Sequence, residues 1–124
     1  MAALLWVGLG GFLGANARYL LGGWIAGRLG AGFPYGTYAI NVTGSFILGF
    51  FLAFAQDRAW VAPPARLLFA VGFVGAYTTF STFEYESIRL LQDGELLLCS
   101  VYVIGSVISG AVATVAGIAL GSWI

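Results

Sequence analysis

The charged side chains are distributed so unevenly that they divide the chain into four long apolar stretches. These stretches cover roughly residues 3–25, 36–55, 67–91 and 96–122. Each has about the 20 residues that a helix needs to cross a lipid bilayer. Only 8% of the residues are charged, whereas soluble domains average about 25%. The sequence therefore predicts a multi-pass integral membrane protein with four transmembrane spans surrounded by lipid.

The architecture of these spans follows from their pattern. Runs such as FILGFFLAFA lack the alternation of apolar and polar residues that β-barrel strands show. Helices satisfy the backbone within lipid, so we expect residues 1–124 to form a single all-α, four-helix transmembrane domain. The segment around Arg28, the segment 56–66 with its Pro pair, and the segment 92–95 are predicted loops. The first stretch lacks a basic n-region and is too long for a signal peptide, so we expect it to stay as the first helix.

Composition excludes several classes of function. The net charge is zero and there is no Lys, which argues against a nucleic-acid-binding surface. With one Cys, Cys99, and no His, the chain cannot build an ordinary zinc or haem site.

The arginines give little bias to the orientation in the membrane. Four spans place both termini on one side, together with Arg58 and Arg66, while Arg28 and Arg89 lie on the other side with Arg18 deeper in the span. The positive-inside rule needs an imbalance that is almost absent here. Two interpretations stay open: the arginines are too few to judge, or the chain inserts both ways and pairs antiparallel with itself.

Small residues recur at a spacing of four in the last span. This spacing makes a smooth stripe that another helix can approach closely, and its members are Gly105, Ser109, Ala113, Gly117 and Gly121. The first span has a single such pair, Gly10 and Gly14. Because membrane helices are rich in Gly, a single pair is too weak a signal to predict close packing on its own.

Polar side chains inside the spans are the candidate functional residues. Arg18 lies in the first span, Asn41 with Thr43 and Ser45 in the second, and residues 77–86 crowd the third. In the fourth span a row with a spacing of four shares one face: Tyr102, Ser106, Gly110 and Thr114. These side chains offer mainly N–H and O–H donors, which suits an anion. The alternative is that the hydroxyls bond back to their own helices and that Asn and Arg join helices.

The stretch GAYTTFSTFEYE (75–86) predicts an interrupted helix. Gly72 and Gly75 precede the β-branched pair Thr78 and Thr79, and both features weaken a helix. A break inside a membrane exposes backbone groups that protein or water must satisfy, and its carbonyls can hold a cation. Two Phe residues three apart follow, and the positive edges of such rings can line an anion path.

Three segments resemble the signatures of the Fluc fluoride channels, also called CrcB proteins: GGFLGANARY (10–19), GTYAINVTGSFILG (36–49) and GFVGAYTTFSTFEYE (72–86). The resemblance implies a dual-topology antiparallel homodimer with two fluoride pores at its interface. It also implies a structural Na⁺ at the dimer centre, held by the backbone carbonyls of Gly75 and Thr78.

The same resemblance implies roles for further residues. It places Arg18 and Glu86 in an electrostatic vestibule, and the fluoride pore along Asn41, Phe80, Ser81, Thr82, Phe83, Tyr102, Ser106 and Thr114. Three positions depart from the family pattern: Gly110 where a hydroxyl is frequent, Tyr77 where small or apolar residues are common, and Glu84 as an additional acid. Whether Ser109 compensates for Gly110 is left open by the sequence.

The function that the resemblance implies is passive export of cytoplasmic fluoride across a prokaryotic cell (inner) membrane, with no enzymatic activity. One rival is a small multidrug transporter, which needs an acidic residue in the first span, where this chain has only Arg18. A structural subunit of a membrane complex is the second rival, and it leaves the donors unexplained. A membrane enzyme is a weak third, because no nucleophile with a base is found.

Overall fold

Helices are the only regular secondary structure in the computed structural model, which describes residues 1–124. Three of the apolar stretches each form one continuous helix: α1 (Ala2–Leu29), α2 (Tyr35–Gln56) and α6 (Leu96–Trp123). The third span, Pro63–Gln92, is assembled from several pieces. All four are long and apolar enough to cross a membrane, which confirms the predicted all-helical, four-span architecture.

The third span contains both the predicted break and an unpredicted π-helix. It comprises α3 (Pro63–Arg66), a π-helical segment (Leu67–Val74), α4 (Gly75–Tyr77) and α5 (Phe80–Gln92). The backbone is extended at Thr78 (ψ 158°) and Thr79 (φ −150°, ψ 116°), so the interruption falls on the β-branched pair.

The segment that joins the second and third spans is shorter than predicted. Pro63 and Pro64 belong to the first turn of α3, so the prediction of a loop through residue 66 was wrong at its end. Proline is accepted there because the first backbone N–H groups of a helix have no intrahelical partner. Arg58 and Arg66 donate to the carbonyls of Phe54 and Ala55, and thereby cap the last turn of α2.

Backbone-to-backbone packing joins α2 and α6. A methyl group at Gly117 would lie 2.2 Å from the carbonyl oxygen of Phe46, and one at Gly121 would lie 2.4 Å from that of Phe50. This part of the small-residue stripe therefore brings two helices into direct backbone contact. Gly105, at the other end of the stripe, has no neighbour of this kind within the chain.

The pair in the first span, which the sequence alone did not single out, packs just as closely. A methyl group would lie 1.9 Å from the Leu68 carbonyl oxygen at Gly10, and 2.1 Å from the Phe73 carbonyl oxygen at Gly14. The contact arises because carbonyl groups of the π-helical segment lie directly against α1. Gly72 completes this contact, since a methyl group there would lie 2.7 Å from the Val7 carbonyl oxygen.

Candidate functional site

The side chain of Asn41 pairs with the backbone at the break. Its Nδ2 donates to the carbonyl oxygen of Thr79 at 3.0 Å, and the Thr79 N–H donates to Asn41 Oδ1 at 2.8 Å. Thr79 also caps α5, because its Oγ1 accepts a hydrogen bond from the N–H of Thr82 at 3.3 Å. Both backbone groups of Thr79 are thus satisfied in a region where unpaired polar groups are costly.

The break releases carbonyl oxygens on its other side. In a continuous helix the carbonyls of residues 75–78 would accept hydrogen bonds from the N–H groups of residues 79–82. Here the Thr79 N–H is bonded to Asn41, and no helical turn encloses Thr79. The carbonyl oxygens of Gly75 and Thr78, which are the predicted cation ligands, are therefore left without helical partners. Oxygen atoms of this kind are the ligands that hard cations prefer.

The carboxylate of Glu86 lies between two hydroxyl groups from other helices. Thr37 Oγ1 donates to Oε1 at 2.8 Å, and the Tyr102 hydroxyl donates to Oε2 at 2.7 Å. The Tyr102 side chain is 0% exposed, and its ring lies 5.1 Å from that of Phe83 between centroids. These bonds hold Glu86 in one orientation and connect α2, α5 and α6.

A cavity of about 750 Å³ opens beside this carboxylate. Arg18 and Glu86, the two predicted vestibule residues, both line it, and Thr79 and Thr82 line the part next to the break. Residues of the 30–34 loop line it as well. The cavity therefore joins the loop end of the bundle to the break in the third span, and its charged lining is Arg18, Arg89, Glu86 and Asp93.

The hydroxyl groups of the predicted pore differ in whether they already donate a hydrogen bond within the chain. Thr114 Oγ1 donates to the Gly110 carbonyl at 2.9 Å, as the alternative interpretation of the polar residues allowed. Ser106 Oγ is buried and has no hydrogen-bond partner. Thr82 Oγ1 accepts from Thr79 Oγ1 at 2.9 Å and keeps its own proton to donate. Ser106 and Thr82 therefore have protons that are free as they stand, whereas the Thr114 proton must first turn away from the Gly110 carbonyl.

The two predicted pore phenylalanines have different environments. Phe80 is 72% exposed, whereas Phe83 is 8% exposed and packs on Tyr102. Their ring centroids are 5.9 Å apart, and the rings are tilted by 42°. Phe80 also lines a second groove, of about 240 Å³, together with Asn41 and Ser45. Ser81 is exposed next to it in the first turn of α5.

Each of the three departures from the family pattern has a defined place. The buried Tyr77 stacks on Phe73 with centroids 5.9 Å apart, and its hydroxyl lies 2.8 Å from Thr43 Oγ1. A methyl group at Gly110 would lie 3.7 Å from Ser45 Oγ. Glu84 is exposed on α5.

Thr37 is a functional candidate that the sequence analysis did not select, and Thr79 entered it only as one of residues 77–86 and as part of the break. Thr37 precedes Asn41 by four residues, which places the two side chains on one face of α2. That spacing is a usable signal for Thr37. For Thr79 the β-branched pair predicts the break but not its partners, because Thr79 contributes backbone groups and a capping hydroxyl.

The fold and the site define a small helical membrane protein with polar groups collected at a mid-membrane helix break. The family described as "CrcB-like protein, Camphor Resistance (CrcB)" matches residues 5–118, and the chain belongs to this family.

Relatives named fluoride-specific ion channel FluC are similar over most of their length. The protein from Acidobacterium capsulatum is 49% identical over 118 residues, covering 95% of this chain and 94% of its own. That from Geotalea daltonii is 44% identical over 124 residues, covering 100% of both chains. That from Koribacter versatilis is 54% identical over 90 residues, covering 73% of this chain and 71% of its own.

Proposed function

We propose that this chain is a fluoride-selective channel that lets cytoplasmic fluoride leave by passive flow. The names of its relatives support the substrate, and they are channels rather than enzymes. The structural observation that carries the proposal is the buried, unpartnered hydroxyl of Ser106. Such a group costs about 1–3 kcal/mol when nothing bonds to it. An anion that accepts a hydrogen bond from Ser106 recovers that energy.

Fluoride is small and tightly hydrated, so its pore must replace water with close donors and then release the ion. Asn41 has a second Nδ2 proton beyond the one bonded to Thr79, and Ser81, Thr82 and Ser106 add hydroxyl donors. Tyr102 and Thr114 continue the polar row on α6, although their protons are bonded to Glu86 and to the Gly110 carbonyl.

The rings of Phe80 and Phe83 bridge the steps between donors. An aromatic ring presents a positive edge, which attracts an anion without holding it as tightly as a charged side chain would. The tilt of 42° between the rings leaves their edges pointing in different directions. Phe80 lines the groove that contains Asn41, so ring and amide act on the same ion.

A second copy in antiparallel orientation completes two such pores. Phe80 is 72% exposed and Ser81 is also exposed, although both lie in the interior of a membrane span. A polar hydroxyl in that position favours a protein partner over lipid. The near balance of arginines between the two ends of the bundle supports insertion in both orientations.

Sodium is the cation that we assign to the centre of this dimer. The carbonyls of Gly75 and Thr78, freed by the break, fit a hard cation because they are oxygen donors without helical partners. The same two carbonyls from each copy would hold the ion. A bound Na⁺ would supply a fixed positive charge that joins the two copies.

Arg18 and Glu86 form the vestibule. Arg18 in the cavity wall attracts anions. Hydrogen bonds from Thr37 and Tyr102 fix the orientation of the Glu86 carboxylate. The chain has no His to relay protons, which favours passive flow over proton coupling. In a prokaryotic inner membrane this channel would discharge fluoride that enters as HF from acidic surroundings and dissociates inside.

Reconstitution into liposomes tests the function directly. Purified protein in liposomes loaded with equal fluoride and chloride should release fluoride rapidly and retain chloride, as recorded with ion-selective electrodes. Ser106→Ala should slow the fluoride release, whereas Ser100→Ala, which removes an intrahelical hydroxyl on the same helix, should not. No fluoride release from a folded protein would refute the proposal and favour the structural-subunit alternative.

Antiparallel pairing has its own test. Tags on the termini should be reachable from both faces of the membrane, and cross-linking should trap a dimer of opposed copies. Tags reachable from one face only would refute dual topology.

A further inference from the structure

The row of hydroxyls on α6 has a gap. Tyr102, Ser106 and Thr114 carry hydroxyls at a spacing of four or eight residues, and Gly110 occupies the position between Ser106 and Thr114. Eight residues of helix span roughly 12 Å at a rise of ~1.5 Å each. A small anion moving along this face would therefore lose its donors over about two helical turns.

Helix α2 brings a hydroxyl to this gap. The only atom of another helix within 4 Å of a methyl group at Gly110 would be Ser45 Oγ, at 3.7 Å. The two helices approach closely here, because a methyl group at Gly49 would lie 2.6 Å from the Thr114 carbonyl oxygen. Ser45 also lines the groove that contains Asn41 and Phe80. Its hydroxyl thus lies beside both the row on α6 and the proposed anion path.

The Ser45 hydroxyl can turn toward an anion without leaving a polar group unpaired. Ser45 Oγ donates to the Asn41 carbonyl at 2.7 Å. That carbonyl lies inside α2, where it accepts the helical hydrogen bond from the backbone N–H four residues later. When the Ser45 hydroxyl rotates away, this oxygen loses one of its two hydrogen bonds and keeps the one from the backbone. Thr114 makes the same kind of bond to Gly110, so the two side chains are equivalent in this respect.

Ser109, the neighbour of Gly110, is a poorer substitute. Consecutive residues of a helix point about 100° apart, so its side chain leaves the face shared by Ser106 and Thr114. Its hydroxyl donates to the Gly105 carbonyl, a bond of the same kind as that of Ser45, so the direction of the side chain is what distinguishes the two.

We propose that Ser45 supplies the hydroxyl that Gly110 lacks and is a further anion-coordinating residue of the channel. This inference rests on the proposed fluoride conductance. A donor to a charged ligand contributes about 1.5–3 kcal/mol, so the loss of Ser45 should slow fluoride efflux by a factor on the order of ten or more.

The test compares Ser45→Ala in two backgrounds by fluoride efflux from liposomes. In the natural chain the substitution should slow efflux by about tenfold or more. In a Gly110→Ser chain, whose added Cβ lies at ordinary contact distance from its neighbour, it should change efflux by less than about threefold, because the row then carries its own hydroxyl. Ser109→Ala is the matched control and should conduct normally, since it loses the same kind of intrahelical bond.

Each result has a separate meaning. Unchanged efflux in Ser45→Ala would overturn the assignment of Ser45, as would a loss that Gly110→Ser does not reduce, because Ser45 would then act through Asn41 alone. No efflux from the natural chain would instead refute the proposed function. If Ser45→Ala does not purify as folded protein, Ser45→Cys replaces it, because the thiol is a weak donor of similar shape. That variant should also conduct slowly unless Gly110→Ser is present.

Discussion

Replacing Asn41 with Asp separates the contribution of this side chain to the stability of the helix break from its contribution to fluoride conduction. Asn41 accepts from the Thr79 N–H at 2.8 Å and donates to the Thr79 carbonyl at 3.0 Å. An ionised Asp keeps the first hydrogen bond and loses the second. It also places a negative charge beside the proposed anion path. We expect Asn41→Asp to destabilise the fold moderately and to reduce fluoride conduction severely.

The two effects differ in size. Leaving the Thr79 carbonyl unpaired costs about 1–3 kcal/mol. A negative charge 4 Å from a fluoride ion raises its energy by about 4 kcal/mol at an effective dielectric constant of about 20. That energy corresponds to a reduction in fluoride occupancy of more than about a hundredfold.

Asn41→Ala is the matched comparison, because it adds no charge. It leaves both the N–H and the carbonyl of Thr79 unpaired, at a cost of roughly 2–6 kcal/mol. The variant that is more damaged in stability should therefore not be the one that is more damaged in fluoride efflux. Ala should have the lower unfolding temperature in detergent, and Asp should have the slower fluoride efflux from liposomes.

Two results would refute this reasoning. If the Asn41→Asp and Asn41→Ala variants slow efflux in proportion to their loss of stability, Asn41 stabilises the helix break and has no separate effect on conduction. If neither variant lowers the unfolding temperature, the bonds between Asn41 and Thr79 do not stabilise the break.

Three further substitutions test other contacts. Phe80→Ile should slow fluoride efflux by up to about tenfold with little loss of stability, since it removes a ring edge from an exposed position; normal efflux would assign Phe80 to packing. Gly14→Ala should lower the unfolding temperature through a cost of about 1–3 kcal/mol, because its methyl group would lie 2.1 Å from a carbonyl of the third span. Gly11→Ala meets open space, and equal behaviour of the two variants would contradict the close packing. Tyr77→Phe should destabilise by about 1 kcal/mol in thermal unfolding, since it loses the 2.8 Å bond to Thr43; an unchanged midpoint would show that this bond contributes nothing.

The position of the helix break was predictable because its causes are local. Thr78 and Thr79 are adjacent β-branched residues, and their preference for extended backbone is a property of the sequence itself. The bonds that satisfy the break were not predictable in the same way. Asn41 lies 38 residues away, and only the packing of α2 against the third span brings it to Thr79.

The packing of the glycines and the state of the hydroxyls also depend on neighbours. Gly10 and Gly14 look like ordinary glycines of a membrane helix, and their close contacts arise from the π-helical segment of another span. Ser106 and Thr114 belong to the same row of α6, yet one hydroxyl is unpartnered and the other is bonded to its own helix. Periodicity places both residues on one face and carries no information about the direction of their protons.

The long separation between Asn41 and Thr79 has a consequence for biogenesis. Chains are synthesised from the N-terminus, so α2 enters the bilayer before the third span does. The amide of Asn41 is synthesised 38 residues before the Thr79 backbone that it pairs with, so it precedes that backbone into the bilayer. Tyr102 follows 16 residues after Glu86, so the carboxylate receives that partner only when α6 arrives. The order of synthesis thus sets the order in which the polar groups of the bundle are paired.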